Sequence, residues 1–181
     1  MWRIAKEFDF CYGHRVWSQS LNCEFSLDSC LKCRHLHGHQ GKLIVYLESD
    51  KLEDGMVTDF KHLNWLKKWI DDVLDHKFII DINDPILKAD VLLPSFRKTD
   101  LVKEDIDGKH FYSVVGPWKY SGTVVDEIYE GLVFVDFVPT SENLSKWVFD
   151  IVQEKMSKIG VKVKQVQFFE TPKSQSNYIY E

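Results

Sequence analysis

Apolar and polar positions alternate along the start of the chain. Trp2, Ile4, Phe8 and Phe10 share one parity, with Lys6 between them. Side chains two apart lie on one face of a strand, so the spacing predicts a strand with one buried face. Carried to residue 14, the same parity holds Tyr12 and His14 and puts His14 at the strand's end on the apolar face. Residues 15–36 lose the period and hold Ser, Asn, Asp and three of the four cysteines, as a loop would. Lys42-Leu43-Ile44-Val45-Tyr46-Leu47-Glu48 alternates again and is rich in β-branched and aromatic residues. It predicts a second strand beginning at or just after His39. The loop then folds back and delivers Cys33 beside His37, so that residues 1–48 form a long antiparallel pair with both ends near one place.

Glu53-Asp54-Gly55 signals a turn. Asp59 is placed to cap a helix over about 60–75, with Leu63, Leu66, Ile70, Val73 and Leu74 at helical spacing and lysines and aspartates opposite. Leu74-Asp75-His76-Lys77 closes that helix, and Asp81 to Pro85 ends the segment. From 86 to 137 the pattern changes to short β-like pieces: Phe111 to Val115, Thr123 to Ile128 and Leu132 to Phe137. They are separated by Asp107-Gly108, Gly116-Pro117 and Ser121-Gly122. This predicts a β-rich, hairpin-bearing insertion at about 85–137 within one domain spanning 1–181. Pro139-Thr140-Ser141-Glu142 starts a second helix, a hydroxyl cap followed by an acid. Its buried stripe is Leu144, Val148, Ile151, Val152 and Ile159, and Gly160 ends it. Val161 to Phe169 predicts a strand, Glu170-Thr171-Pro172 its end, and Asn177 to Glu181 a short last strand. The class is α+β, two helices on one face of an antiparallel sheet.

The length of 181 residues suffices for a sizeable core, and 44% hydrophobic with 14% aromatic content suits a globular chain. A net charge of −5 gives no reason to expect nucleic acid as a partner, while a small anionic substrate needs only a locally positive pocket. No apolar run approaches the roughly 20 residues of a membrane helix. The opening Met-Trp-Arg-Ile-Ala-Lys-Glu mixes charged and apolar residues, unlike a signal peptide. Cys11, Cys23, Cys30 and Cys33 are too few for a disulfide scaffold, which points to a reducing cytoplasm.

The chemistry concentrates in Cys33-Arg34-His35-Leu36-His37-Gly38-His39. On a strand His37 and His39 share a face. A catalytic zinc takes three protein ligands and keeps a fourth position open, and His14 on the neighbouring strand supplies the third. The alternative is a closed structural knuckle of Cys30, Cys33, His37 and His39; only in that case does losing Cys30 strip the metal. A thiol near imidazoles and a metal has its thiolate favoured, so Cys33 is a candidate base, or else a small buried residue. Asp75 can orient His76 as a proton relay. Glu170, at a strand end, can accept two parallel hydrogen bonds from an amidine-like edge. Thr140 and Ser141 are caps first and ligand contacts second.

Together these pieces resemble the 6-pyruvoyl-tetrahydropterin synthase superfamily. The matching stretches are Phe10 to Arg15 with His14, Cys33-x-x-x-His37-Gly38-His39, Gly55-Met56-Val57-Thr58-Asp59-Phe60, Leu74-Asp75-His76, Pro139 to Leu144, and Glu170-Thr171-Pro172. They occur in the family's order and cover about 1–84 and 138–181. A cysteine four residues before His-Gly-His resembles the carboxytetrahydropterin branch of the queuosine pathway; the pyruvoyl branch usually spaces it further upstream. The resemblance implies the tunnelling fold, a four-stranded antiparallel sheet with two helices, assembled into an oligomeric barrel with sites at subunit interfaces. It implies zinc on His14, His37 and His39, Cys33 as proton-abstracting base, Asp75 and His76 as relay, and Glu170 as pterin anchor. The implied reaction converts 7,8-dihydroneopterin triphosphate to 6-carboxytetrahydropterin, acetaldehyde and triphosphate. A pyruvoyl synthase that stops at triphosphate elimination, or a non-catalytic zinc-stabilised binding module, is the alternative. Three features depart from the family: Phe10-Cys11-Tyr12-Gly13-His14 is less rich in small residues than the usual approach to this histidine, the 15–36 loop is long and carries Cys30 near Cys33, and the 85–137 insertion is not usual.

Overall fold

In a computed structural model, the described residues are 1–26, 28–89, 99, 101–106, 109–114 and 123–181. Strands β1 (Trp2–His14) and β2 (His37–Ser49) pair antiparallel from Trp2↔Ser49 to His14↔His37. β2 therefore starts at the first imidazole, two residues earlier than expected. The ladder with β1 continues to its end, and Gly38 passes close to the Tyr12 carbonyl. β7 (Lys162–Thr171) pairs with β2, and β8 (Ser174–Ile179) with β7, both antiparallel. Glu170 and Thr171 thus lie within β7 rather than after it, and Pro172-Lys173 makes the turn.

One buried row runs along each central strand: Phe8, Phe10 and Tyr12 on β1, Leu43, Val45 and Leu47 on β2, Val163, Val166 and Phe168 on β7. Helices α1 (Asn64–Val73) and α3 (Ser141–Ser157) cover it. Trp69 of α1 meets Trp147 of α3 edge to face, ring centroids 5.2 Å apart. Each large side chain so removed from water contributes about 1.5–3 kcal/mol. Asp59 caps a short 3-10 turn, Phe60–Leu63, ahead of α1, its carboxylate accepting from the Lys61 amide at 2.8 Å. Thr140 caps α3, accepting from the Asn143 amide. Ile159 lies beyond the helix and is exposed. Gly160, at φ +72°, turns the chain into β7.

The sheet is larger than four strands and not purely antiparallel. Among the described residues it has eight; with β3 (Lys77–Asp81), β4 (Leu101–Ile106), β5 (Lys109–Val114) and β6 (Leu132–Val135) added, the order is β4-β5-β6-β3-β1-β2-β7-β8. β3 (Lys77–Asp81) was unforeseen; it lies parallel to β1, through Tyr12↔Lys77 to His14↔Ile79. Its core is an apolar run because both faces are covered: Ile79 joins the main core and Ile80 a second cluster with Leu87 and Phe134. β6 (Leu132–Val135) runs parallel to β3, and β4 (Leu101–Ile106) and β5 (Lys109–Val114) form a hairpin beyond it. So the insertion extends the main sheet.

Thr123 to Ile128, expected as β-like, is instead the start of helix α2 (Val124–Glu130). Thr123 and Asp126 form a capping box, the Asp126 carboxylate accepting the Thr123 amide at 3.0 Å, and two acids occupy the first turn. That signal outweighs the β-branched residues. Asp107-Gly108, Gly116-Pro117, Ser121-Gly122 and Val115 lie outside the described residues.

Candidate metal centre

The buried parity of β1 ends in His14, and the same parity of β2 begins with His37 and His39. The row that makes the core therefore turns into three imidazoles at one end of the sheet. Nε2 of His14 lies 3.1 Å from Nε2 of His37 and 3.2 Å from Nε2 of His39. Among the described residues these three form the one group of ligating side chains within 4.8 Å of each other. Cys30 and Cys33 are not in it. The closed knuckle is thus not formed.

Main-chain carbonyls orient two of the rings. Nδ1–H of His14 donates to the Pro139 carbonyl at 2.6 Å, and Nδ1–H of His37 to the His35 carbonyl at 2.7 Å. A carbonyl only accepts, so Nδ1 of each ring carries a proton, and in the neutral imidazole Nε2 then turns a lone pair inward. Two lone pairs 3.1 Å apart repel unless a cation lies between them. His14 is 1% exposed, and its pKa is lowered to about 4, first by burial and further by His37 and His39, against the Pro139 hydrogen bond. His39 is lowered by burial and by His37. Neutral nitrogen donors converging in this way fit a divalent metal ion.

Glu170 approaches from β7, its Oε1 3.8 Å from His14 Nε2. Burial raises its pKa, as does the charge of Glu142, while His37 opposes them. Thr140 and Ser141 sit at the α3 start, immediately after the carbonyl that orients His14. Cys33 lies in a one-turn 3-10 segment, Lys32–Arg34, and is half-buried. Its carbonyl accepts the Val16 amide at 2.7 Å and its amide donates to Gln19 Oε1 at 3.0 Å, so the loop does fold back beside the end of β1.

Asp75 and His76 form a pair, Oδ2 to Nδ1 3.0 Å. The other Asp75 oxygen accepts the Cys11 amide at 2.8 Å, which lowers its pKa, and the His76 amide donates to the Cys11 carbonyl at 2.7 Å. Cys11 has the opposite parity to Tyr12 and His14. The pair is fastened to the main chain of β1 at Cys11, with the His76 side chain 80% exposed. Among the described residues no hydrogen bond or ion pair joins it to the three histidines. His76 also takes φ +58°, a left-handed turn between α1 and β3.

Arg15 is paired with the buried Asp84 at 3.2 Å, next to Trp17, which donates to Asp81 at 2.9 Å. Lys173 is exposed in the β7–β8 turn. Three contributors were not foreseen. The carbonyls of Pro139 and His35 carry no side-chain signature. Tyr12 does have a signal, its place on the parity that ends in His14.

The model of the 6-pyruvoyl tetrahydropterin synthase family matches residues 3–181. The chain is 33% identical over 187 aligned residues to 6-carboxy-5,6,7,8-tetrahydropterin synthase of Aquifex aeolicus, covering 98% of this chain and 97% of that protein. A crystal structure of an uncharacterised protein from Wolinella succinogenes superposes with a TM-score of 0.92 at 53% identity, covering 99% and 98% of the two chains. The 6-pyruvoyl tetrahydropterin synthase of Caenorhabditis elegans shares the fold at a TM-score of 0.54 and 20% identity, covering 99% and 95%. No helix among the described residues is long and apolar enough to cross a membrane.

Proposed function

The chain belongs to the 6-pyruvoyl tetrahydropterin synthase family, and from that membership we propose that it converts 7,8-dihydroneopterin triphosphate to 6-carboxy-5,6,7,8-tetrahydropterin, with release of acetaldehyde and triphosphate. It is an enzyme, a lyase, and its chemistry is elimination on a pterin triphosphate. The observation that carries the finer reading is the convergence of three imidazoles, with His14 Nε2 3.8 Å from the Glu170 carboxyl group. His14, His37 and His39 would hold the ion, and zinc suits three imidazoles with one position left open. When bound, such an ion supplies Lewis-acid stabilisation of charge developing on the substrate's side-chain oxygens.

The chain's own residues do the rest. Glu170 accepts two hydrogen bonds from the pterin's amidine-like edge and fixes the ring, a positioning contribution. Cys33, on the loop tied to the end of β1, takes the side-chain proton as thiolate. His76, oriented by Asp75, donates and accepts protons as the relay. Thr140 and Ser141 offer hydroxyls beside the ring. The exposed His76, joined to the three histidines by no hydrogen bond or ion pair among the described residues, supports a site completed by a second copy of the chain. The protein is accordingly a homo-oligomer with its sites at subunit interfaces, the 85–137 insertion lying at their rim or extending the contact. Its place is the cytoplasm, in queuosine biosynthesis.

The test is incubation of zinc-loaded protein with dihydroneopterin triphosphate. Acetaldehyde release, lost in Cys33→Ala, is expected. Triphosphate release without acetaldehyde would assign the pyruvoyl reaction instead, and product mass separates the two. Pterin binding without turnover would leave a binding module.

A further inference from the structure

Tyr12 is 3% exposed, and its hydroxyl is buried without a hydrogen-bond partner among the described residues. An unpaired buried hydroxyl costs about 1–3 kcal/mol, so such a group tends to be retained for a partner that comes later. Its ring lies edge-on to His14, centroids 5.2 Å apart, and tilted against His39 at 5.6 Å. It also meets Phe168 of β7 edge to face at 5.4 Å. The ring extends across β2 where Gly41 stands: a Cβ there would come 3.0 Å from Tyr12 Cε1 and 3.0 Å from the Phe10 ring. On the far side of that glycine is β7, with Phe169 paired to Lys42 and Glu170 next in line. The Glu170 carboxylate accepts no hydrogen bond among the described residues, and its charge acts on the phenol.

We propose that Tyr12 is a positioning residue for Glu170: its phenol crosses the gap left by Gly41 and donates to the Glu170 carboxylate once a pterin is bound. A carboxylate has about four acceptor sites, so it can take two hydrogen bonds from the pterin edge and a third from the phenol. This rests on the assignment of Glu170 as pterin anchor. It also gives a reason for Tyr12 and Gly41, the aromatic on the approach to His14 and the glycine that admits it.

The experiment titrates zinc-loaded protein with 7,8-dihydroneopterin, followed by its fluorescence. Tyr12→Phe keeps the ring and removes the donor. The expected results are unchanged zinc stoichiometry, affinity about tenfold weaker, and a ligand-free melting temperature equal to or above the parent's. In a Glu170→Ala background the further change Tyr12→Phe leaves affinity within about twofold, since coupled residues do not add. Gly41→Ala, which displaces the ring, weakens binding as well. Undiminished affinity in Tyr12→Phe, an equal loss in both backgrounds, or a lowered ligand-free melting temperature would overturn the proposal. Failure of the parent protein to bind dihydroneopterin would instead overturn the functional assignment, and this inference with it.

Discussion

The burial of His14 makes the metal-free protein acid-labile in a defined window. Its pKa falls to about 4 in the folded chain, from an ordinary 6.5. Above pH 6.5 the imidazole is neutral in both states and adds no pH dependence. Between 6.5 and 4 the unfolded chain binds the proton and the folded chain does not. Each unit of pH then lowers stability by about 1.36 kcal/mol, which is about 2 kcal/mol at pH 5. Below about pH 4 the folded side chain protonates as well, and the cost levels off at about 3 kcal/mol. The assay is urea unfolding of chelator-treated protein at steps from pH 7.5 to 4, comparing the parent with His14→Gln. The variant starts lower, because the Pro139 carbonyl loses its donor, but its curve is flatter across the window. Parallel curves, or a gap in the parent's favour that widens as the pH falls, would refute the reasoning.

Gly13→Ala would place a methyl 2.5 Å from the Phe78 ring; a loss of about 1–3 kcal/mol is expected in thermal melts, largely restored by Phe78→Leu. Asp84→Ala leaves the Arg15 guanidinium without its partner and should cost on the order of 3 kcal/mol in denaturant unfolding. For a shared site, His37→Ala and His76→Ala are each inactive as pure proteins, and their co-expressed hybrid regains acetaldehyde release; no recovery in verified hybrids would place relay and metal centre in one chain. Metal analysis should show the ion lost in His39→Ala and kept in Cys30→Ala.

The site was legible because its ligands continue a hydrophobic period. Ile4, Phe8, Phe10, Tyr12 and His14 form one series, and the partner series on β2 starts at His37. The helix caps at Asp59 and Thr140 were equally readable, since a side-chain oxygen before an amphipathic run has a local cause. β3 was not readable in this way. Its five residues are too few to show a period, and their pairing with β1 and β6 is parallel and distant in sequence. The α2 capping box stood in plain view at Thr123 and Asp126 but was outvoted by neighbouring β-branched residues. Carbonyl partners such as Pro139 cannot be read from a sequence, because every residue has one.

Core and metal ligands share a single row on β1 and β2, and a slip of one residue would turn every member of that row outward together. A mispaired chain would therefore scatter its imidazoles at the same moment as it exposed its phenylalanines. An ion held by all three imidazoles would thus be captured only by a chain whose two longest strands are already aligned.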